Sequence, residues 1–244
     1  MGLKEPAAFA RDIARVARLI ATAQVPLVRV RYARLHATRE LTMLRPIAPI
    51  TLERTDGLVR LEPLRVHHAD DLFLRCADES VWRYAVERPA DLPAMRAFIE
   101  RAMLAESEGR ELPFAIVERS TGRAIGSTRY LEITPVHECL EIGWTWLGVP
   151  WQRTGCNTEC KYLLFAHAFD ALGAGRVQLK ADARNVQSRA AIERIGATYE
   201  GTLRKHRICA DGFVRDSAYY SVVRAEWPSV RERLAQWIER RAAR

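Results

Sequence analysis

The chain has 244 residues, of which 48% are hydrophobic and 28% charged, so it can fold around one substantial core with room for one appendage. Its formal net charge is +8, from 38 Lys and Arg against 30 Asp and Glu. No apolar run in the sequence is long enough to cross a bilayer as a helix, which excludes a helical membrane span.

Most of the positive charge lies in the first 45 residues. Nine basic and three acidic residues occur in 1–45, whereas residues 46–244 contain 29 basic and 27 acidic residues and are nearly neutral. The high isoelectric point is therefore poor evidence for nucleic acid binding by the larger part, and we expect no nucleic acid partner there. The sequence predicts two parts, a basic N-terminal extension over 1–45 and a folded domain over 46–244 that includes a C-terminal helix.

Three interpretations of the extension stay open. Phe9, Ile13 and Ile20 fall on one face of a predicted helix with arginines elsewhere, and Pro26 ends the pattern. Such a helix could pack on the domain or on a second copy of the chain in a homodimer. It could also bind RNA or a membrane surface, or act as a targeting peptide. Alternatively the segment is dispensable or its start is wrongly assigned, because Met43 offers another start just ahead of Leu44-Arg45-Pro46.

Five elements are predicted between the extension and residue 132. The helix over Asp91–Glu108 has Pro93 in its first turn, which is typical of a helix start. The others are the strand Leu58–Pro63, the helix His67–Ala77 and the strands Leu112–Glu118 and Ala124–Glu132, which flank a Ser-Thr-Gly turn. Their composition does not identify a substrate.

Residues 139–172 are the most informative part of the sequence. Leu140–Leu147 alternates as a strand does, and Lys161–Leu172 places apolar residues at helical spacing. The short loop between them contains Gly155, and the helix is predicted to start within this loop. The first backbone N–H groups of a helix have no partner within it and lie at its positive dipole end. This segment therefore predicts an anion site that needs no lysine.

The loop contains neither G-x-x-x-x-G-K-[ST] nor G-x-G-x-x-G, which excludes two common phosphate-binding loops. It resembles the Q/R-x-x-G-x-G/A pyrophosphate motif of the GNAT superfamily of N-acetyltransferases, with Gln152 first and Gly155 fourth. Asn157 stands where that family has Gly or Ala, but asparagine tolerates unusual backbone angles and caps helices. The resemblance implies acetyl-CoA as cosubstrate, bound by Gln152, Arg153, Thr154, Gly155, Cys156, Asn157 and Thr158.

Two further motifs follow in the order found in that superfamily. After a strand predicted over Arg176–Ala181, residues 185–197 resemble the N-x-x-S-x-x-x-x-E-K-x-G-F helix of the ribosomal-protein-acetylating, Rim-type branch. Arg194 and Ala197 replace the usual Lys and Phe. A hairpin with its turn at Asp211-Gly212 is predicted next and is similar to the final strands of that branch.

The C-terminal segment predicts a helix from Trp227 whose apolar stripe docks on the core or on a second subunit; the stripe comprises Val230, Leu234, Trp237 and Ile238. The fold that the resemblance implies is an α/β domain with a central mixed, mostly antiparallel sheet and helices on both faces. The acetyltransferase domain is expected to occupy 46–244.

Acetyl transfer from a thioester to an amine needs a base, donors for the carbonyl oxygen and an acid for the departing thiolate. Alternation puts Glu141 on one strand face with Gly143 and Thr145, and Trp144 and Trp146 on the other. Glu141 is thus a carboxylate within a strand fit for burial, and burial makes a carboxylate a better proton acceptor. The competing interpretation is an edge-strand glutamate paired with an arginine.

The remaining roles come from the resemblance. It implies Ser188 as the acid at the departing sulfur, Asn185 as a cofactor contact, and the backbone N–H groups of Trp146 and Leu147 as donors to the carbonyl oxygen. Asn185 with a polar residue three positions later is also an ordinary helix start, and the two interpretations are compatible. The alternative acids are the tyrosines Tyr162, Tyr199, Tyr219 and Tyr220.

The function expected from these residues is transfer of acetyl from acetyl-CoA to a primary amine. A protein N-terminal α-amine is the preferred acceptor, because its reference pKa is roughly two and a half units below that of lysine and the neutral nucleophile is easier to obtain. A small-molecule amine, such as an aminoglycoside, polyamine or amino acid, is the first alternative. A non-catalytic CoA- or RNA-binding module is the second.

The cysteines bear on location and metals. They are five in number and form no C-x-x-C pair, which indicates reduced thiols and a cytoplasmic protein. Cys156 and Cys160, with His167 further along, have no matching second pair of ligands, so no metal is expected.

A chain that begins at Met43 is expected to fold, bind acetyl-CoA and acetylate a small amine as the full chain does, because residues 46–244 carry all three motifs. It should also lose most salt-sensitive attraction to RNA or anionic vesicles, if the full chain shows any. Calorimetry with acetyl-CoA and binding at two salt concentrations check this. Aggregation of the shortened chain, or lost acetyl-CoA binding, would mean that the extension buries its apolar face.

Overall fold

A computed structural model describes residues 43–242. The extension, and the helix predicted around Phe9 and Ile20, lie outside this range. Within it, eight strands form one sheet in the order β1-β2-β3-β4-β5-β6-β8-β7. Neighbouring strands are antiparallel except β5 and β6, which are parallel. The expected mixed, mostly antiparallel sheet is confirmed.

The elements have the following bounds. The strands are β1 Leu52–Glu53, β2 Val59–Pro63, β3 Leu112–Glu118, β4 Arg123–Thr134, β5 Cys139–Leu147, β6 Arg176–Asp182, β7 Thr198–Ile208 and β8 Val214–Val223. The helices are α1 Ala69–Arg75, α2 Leu92–Ser107, α3 Cys156–Ala166, α4 Val186–Arg194 and α5 Trp227–Ala242. None of these helices combines the length and the apolar character that a bilayer crossing requires.

The two faces of the sheet are covered differently. One face packs on α3 and α5, with Leu140, Val177 and Tyr220 among its buried residues. On the other face α1 and α2 pack on the β3 and β4 part of the sheet, around residues such as Ala115 and Val117. No helix within 43–242 covers the β5 to β8 part of that second face, so polar side chains there remain accessible.

Local signals place the helices on the sheet. The Asp91 carboxylate accepts a hydrogen bond from Ala94 N at 2.7 Å and so caps α2, as its position predicted. The apolar stripe of α5 buries Val230 and Leu234, which confirms docking on the core. The predicted helix start within the loop is confirmed, since α3 begins at Cys156; after Ala166 the chain continues as a wider helical turn over His167–Ala171.

The alternation predicted for β5 is wrong after Gly143. Trp144 and Thr145 together face the single residue Thr128 on β4, and Trp144 has φ 48°, so the strand contains a β-bulge. The extra residue turns Trp144 and Trp146 to the same face as Glu141, where they pack with the α1 and α2 residues. Thr145 therefore points to the α3 side instead.

Candidate active site

The centre of the sheet is split. β5 and β6 pair only from Cys139–Arg176 to Glu141–Gln178, while β6 continues to pair with β8 as far as Asp182. The loop before α3 and the start of α4 follow the carboxyl ends of these two parallel strands. In sheets with parallel strands, ligands bind at such a divergence. The two motifs thus lie at the same edge of the sheet, and Asn185 and Ser188 of the second motif line a cavity there.

The loop over 152–158 supplies unpaired backbone donors. Gly155 has φ 121° and precedes α3, and Arg153 is also left-handed, with φ 62°. The first backbone hydrogen bond into the helix comes from Glu159 N to Gly155 O, so the N–H groups of Asn157 and Thr158 have no carbonyl within the helix. The buried Asn157 Oδ1 also has no partner within 43–242. The two N–H groups fit an anion such as a pyrophosphate, whereas Asn157 Oδ1 is an acceptor and does not.

Three other side chains of the loop form hydrogen bonds within the protein. Gln152 Nε2 donates to Leu147 O at 3.0 Å and ties the loop to the end of β5. Thr158 Oγ1 accepts from Arg194 Nη2 at 3.0 Å, and Thr154 Oγ1 donates to the sulfur of the buried Cys156 at 3.2 Å. We infer that these three side chains shape the loop, and that its backbone is the part available to a ligand.

Glu141 is fully buried and has a cationic partner. Its Oε2 accepts from Gln178 Nε2 at 2.7 Å and from Lys180 Nζ at 3.0 Å. Oε1 lies 2.9 Å from the same ammonium but accepts no well-aligned hydrogen bond from residues 43–242. The ion pair offsets the cost of burying the carboxylate. The predicted burial of Glu141 is confirmed, whereas the competing interpretation is wrong: β5 is a central strand, and the partner of Glu141 is Lys180.

Ser188 and Asn185 lie across the gap from Glu141. Asn185 Oδ1 accepts from Ser188 N at 2.9 Å and caps α4, as the sequence predicted. The Ser188 hydroxyl forms no hydrogen bond within 43–242, and Trp146 Nε1 is a buried donor without a partner there. All four residues line one cavity of about 410 Å³. Leu147, by contrast, is buried at the end of β5 and does not line it.

The alternative acids differ in position. Tyr219 lies on the open face of the sheet, and its hydroxyl lies 3.2 Å from His206 Nε2. Tyr220 is buried on the α3 side and donates to Glu193 at 2.9 Å. Tyr162 and Tyr199 do not line the cavity. Cys156 and Cys160, which were considered as metal ligands, are buried free thiols in α3.

A roof covers part of the cavity. The segment around Tyr84 and Ala85 meets the tip of the β7–β8 hairpin, where Arg215 Nη1 donates to Tyr84 O at 3.3 Å and Ala210 N to Ala85 O at 3.4 Å. Trp82 packs against Trp146 with ring centroids 4.9 Å apart and the ring planes tilted by 49°. Sequence reasoning missed this segment because its residues carry no periodic or catalytic signal.

A lysine beneath the site has no carboxylate partner in the described residues. Lys161 on α3 is buried, and its Nζ donates to Thr145 Oγ1 at 2.8 Å. Burial lowers the pKa of Lys161 to about 8. Between that pH and the ordinary lysine range the unfolded chain holds a proton that the folded chain has lost. The contribution of Lys161 to stability therefore rises with pH over this window.

Replacing Lys161 by Met is expected to stabilise the protein at pH 7 by up to about 3 kcal/mol, because a charge no longer has to be buried. The gain should vanish above about pH 10, where the lysine is neutral in both states. Urea unfolding at both pH values measures it, with the exposed Lys205→Met as the matched control. A Lys161→Met protein less stable than wild type at pH 7 would contradict the assignment of an unpaired buried charge.

Comparisons with known proteins agree with this geometry. A family model described as an acetyltransferase (GNAT) domain matches residues 59–198, which is more than half of the chain. A structure of a candidate acetyltransferase from T. thermophilus is 38% identical, with a TM-score of 0.71, over 79% of this chain and 98% of that one. A GCN5-related N-acetyltransferase from Brucella melitensis is 28% identical, with a TM-score of 0.75, over 82% and 90%.

A third structure, Mycobacterium smegmatis RimJ in complex with CoA-disulfide, shares the fold at 22% identity, with a TM-score of 0.66, over 78% of this chain and 94% of that one. No protein among the curated sequences matches the chain. The family match covers the split sheet, the loop over 152–158 and the capped start of α4. The chain therefore belongs to the GNAT superfamily and is an acetyl-CoA-dependent N-acetyltransferase.

Proposed function

We propose that this N-acetyltransferase modifies the α-amine of a protein N-terminus. The observation that carries the proposal is the length of the polar space beyond Glu141. A second cavity, of about 380 Å³, adjoins the first on the uncovered face of the sheet and shares Glu132, Glu141, Lys180 and Arg207 with it. A simple amine needs only the first cavity, whereas residues that follow an α-amine need space of this kind.

The proposed binding and catalytic roles of the residues are as follows. Backbone N–H groups of the loop over 152–158 hold the pyrophosphate of acetyl-CoA, which supplies the acetyl group as a thioester when bound. Glu141 takes the proton that the acceptor ammonium gives up, through a water. The free hydroxyl of Ser188 gives a proton to the departing sulfur. Of the two expected donors to the carbonyl oxygen, only Trp146 lines the cavity, so its N–H group is proposed for this role and that of Leu147 is not.

A small-molecule amine is the second candidate, and the roof favours it. The contacts of the β7–β8 hairpin with Tyr84 and Ala85 restrict access to the first cavity from that side. A compact acceptor such as a polyamine or aminoglycoside passes such a restriction more easily than a folded protein. An acceptor protein must instead enter along the second cavity, with its N-terminus extended.

Acetyl transfer to a panel of acceptors tests the proposal. The panel contains peptides with free N-termini, the same peptides with blocked N-termini and an internal lysine, polyamines and an aminoglycoside, each analysed by mass spectrometry. We expect acetylation at the α-amine of the free peptides and little at lysine. Efficient modification of the polyamine or aminoglycoside, with none of the peptides, would favour the second candidate.

A further inference from the structure

The junction of the two cavities contains two charged side chains without partners. Ten acidic, basic or histidine side chains line the cavities, and most are paired: Glu141 with Lys180, Arg176 with Glu200, Asp182 with Arg184, Glu111 with Arg129 and Glu87 with Arg101. Arg215 and His206 form hydrogen bonds with Ser217. Glu132 and Arg207 alone make no hydrogen bond or ion pair through their charged groups to residues 43–242.

Glu132 and Arg207 both lie where the backbone of their strand is irregular. Glu132 has φ 49° and lies where the register between β4 and β5 shifts, after Leu131. Arg207 lies on the edge strand β7, where its register with β8 shifts. Bulges of this kind re-aim side chains, and they occur often beside active sites. Each of the two residues lines both cavities, so they flank the route from the second cavity to Glu141.

The two charges act on the same neighbour. Burial lowers the pKa of His206, the cations Arg207, Lys180 and Arg215 lower it further, and Glu132 opposes them. Glu132 and Arg207 are therefore both close to His206, yet they form no ion pair with each other within the 4.0 Å that defines one. A carboxylate and a guanidinium separated in this way can bind a ligand that carries a cation and an acceptor group close together.

We propose that Glu132 and Arg207 recognise the acceptor: Glu132 binds its ammonium group, and Arg207 binds the carbonyl oxygen that follows the α-amine. An N-terminal residue carries these two groups on adjacent carbons, whereas a polyamine or alkylamine lacks the carbonyl. The inference rests on the proposed function, since it specifies how a protein N-terminus is chosen. Glu132 holds the ammonium until Glu141 takes its proton.

A solvated surface charge is the competing explanation, because charged side chains on an edge strand also discourage aggregation. Arg204 provides the comparison. It is an exposed arginine on the same strand, has no partner within 43–242, and lines neither cavity. If Arg207 were only surface charge, removing either arginine would have the same effect on kinetics.

The test measures steady-state kinetics of Glu132→Gln, Arg207→Gln and Arg204→Gln with two probe acceptors. One is a tripeptide amide with a free N-terminus, and the other is the analogue in which the first carbonyl is reduced to a methylene. We expect KM for the peptide to rise about tenfold to a hundredfold in Glu132→Gln and Arg207→Gln, the loss typical of one charge-assisted hydrogen bond. KM for acetyl-CoA should not change.

The second probe isolates the carbonyl contact. With the reduced analogue, Arg207→Gln should match wild type within about twofold, whereas Glu132→Gln should still raise KM, because the ammonium is retained. Peptide KM values equal to those of Arg204→Gln would overturn this inference and leave the proposed function intact. A wild-type enzyme that acetylates polyamines but neither probe would overturn both.

Discussion

Glu141→Gln is expected to lower kcat by about 10²–10⁴ at neutral pH and to leave the Kd for acetyl-CoA near the wild-type value. The amide has the shape of the carboxylate but cannot take a proton. The acidic limb of the pH–rate profile should change as well, because this limb reports the protonation of the essential base. Stopped assays from pH 5 to 9, with calorimetry for acetyl-CoA, measure both quantities.

The ion pair complicates this variant, since a neutral amide at position 141 would leave the Lys180 ammonium buried without its partner. Removing one member of a buried pair costs about 3–5 kcal/mol of stability. A double variant that combines Glu141→Gln with Lys180→Met restores neutrality and is the control for folding. If the double variant is as stable as wild type and equally inactive, the loss belongs to the base. Full turnover in Glu141→Gln would transfer the role to another group, such as a chain of waters.

Gly155→Asp is expected to weaken acetyl-CoA binding by about a hundredfold or more, because a like charge close to a pyrophosphate in a partly buried site costs several kcal/mol. The backbone adds strain, since φ 121° at this residue disfavours any side chain. Calorimetry with acetyl-CoA on protein that melts cooperatively measures the effect.

Gly155→Asp needs a control variant that has the same backbone strain and the same Cβ contacts but no charge. A Cβ at position 155 would lie 3.4 Å from Leu58 Cδ1 and 3.4 Å from Trp237 Cζ3, and so would point toward α5 rather than into open solvent. Gly155→Ala has the same strain and the same contacts without the charge. We expect it to bind acetyl-CoA clearly more tightly than Gly155→Asp. Equal affinities would show that strain alone accounts for the loss, and the anion-binding interpretation would fail.

The sequence predicts the site correctly where a local pattern of residues determines the structure. The strand-loop-helix segment around Gly155 and the cap at Asn185 depend on residues within a few positions, so spacing alone predicts them. Alternation along β5 also predicted the burial of Glu141, because only every second residue of a strand faces the same side.

The errors and omissions arise where distant segments meet. The bulge at Trp144 inserts one residue against β4, and the composition of β5 alone does not reveal it. Lys180 lies 39 positions after Glu141, and its contact depends on the parallel pairing of β5 with β6. Glu132 and Arg207 lie at register shifts, where periodicity gives no guidance.

The limited pairing of β5 with β6 has a mechanical consequence. The sheet has two parts, one formed by β1 to β5 and the other by β6, β8 and β7. Only three residue pairs, all between β5 and β6, join the two parts. The load between these two parts is therefore carried mainly by side chains on the α3 and α5 face, among them Val177 and Leu164, and little by the backbone. Force applied across the sheet at right angles to its strands should open it at this seam first, while each part keeps its own ladder of hydrogen bonds.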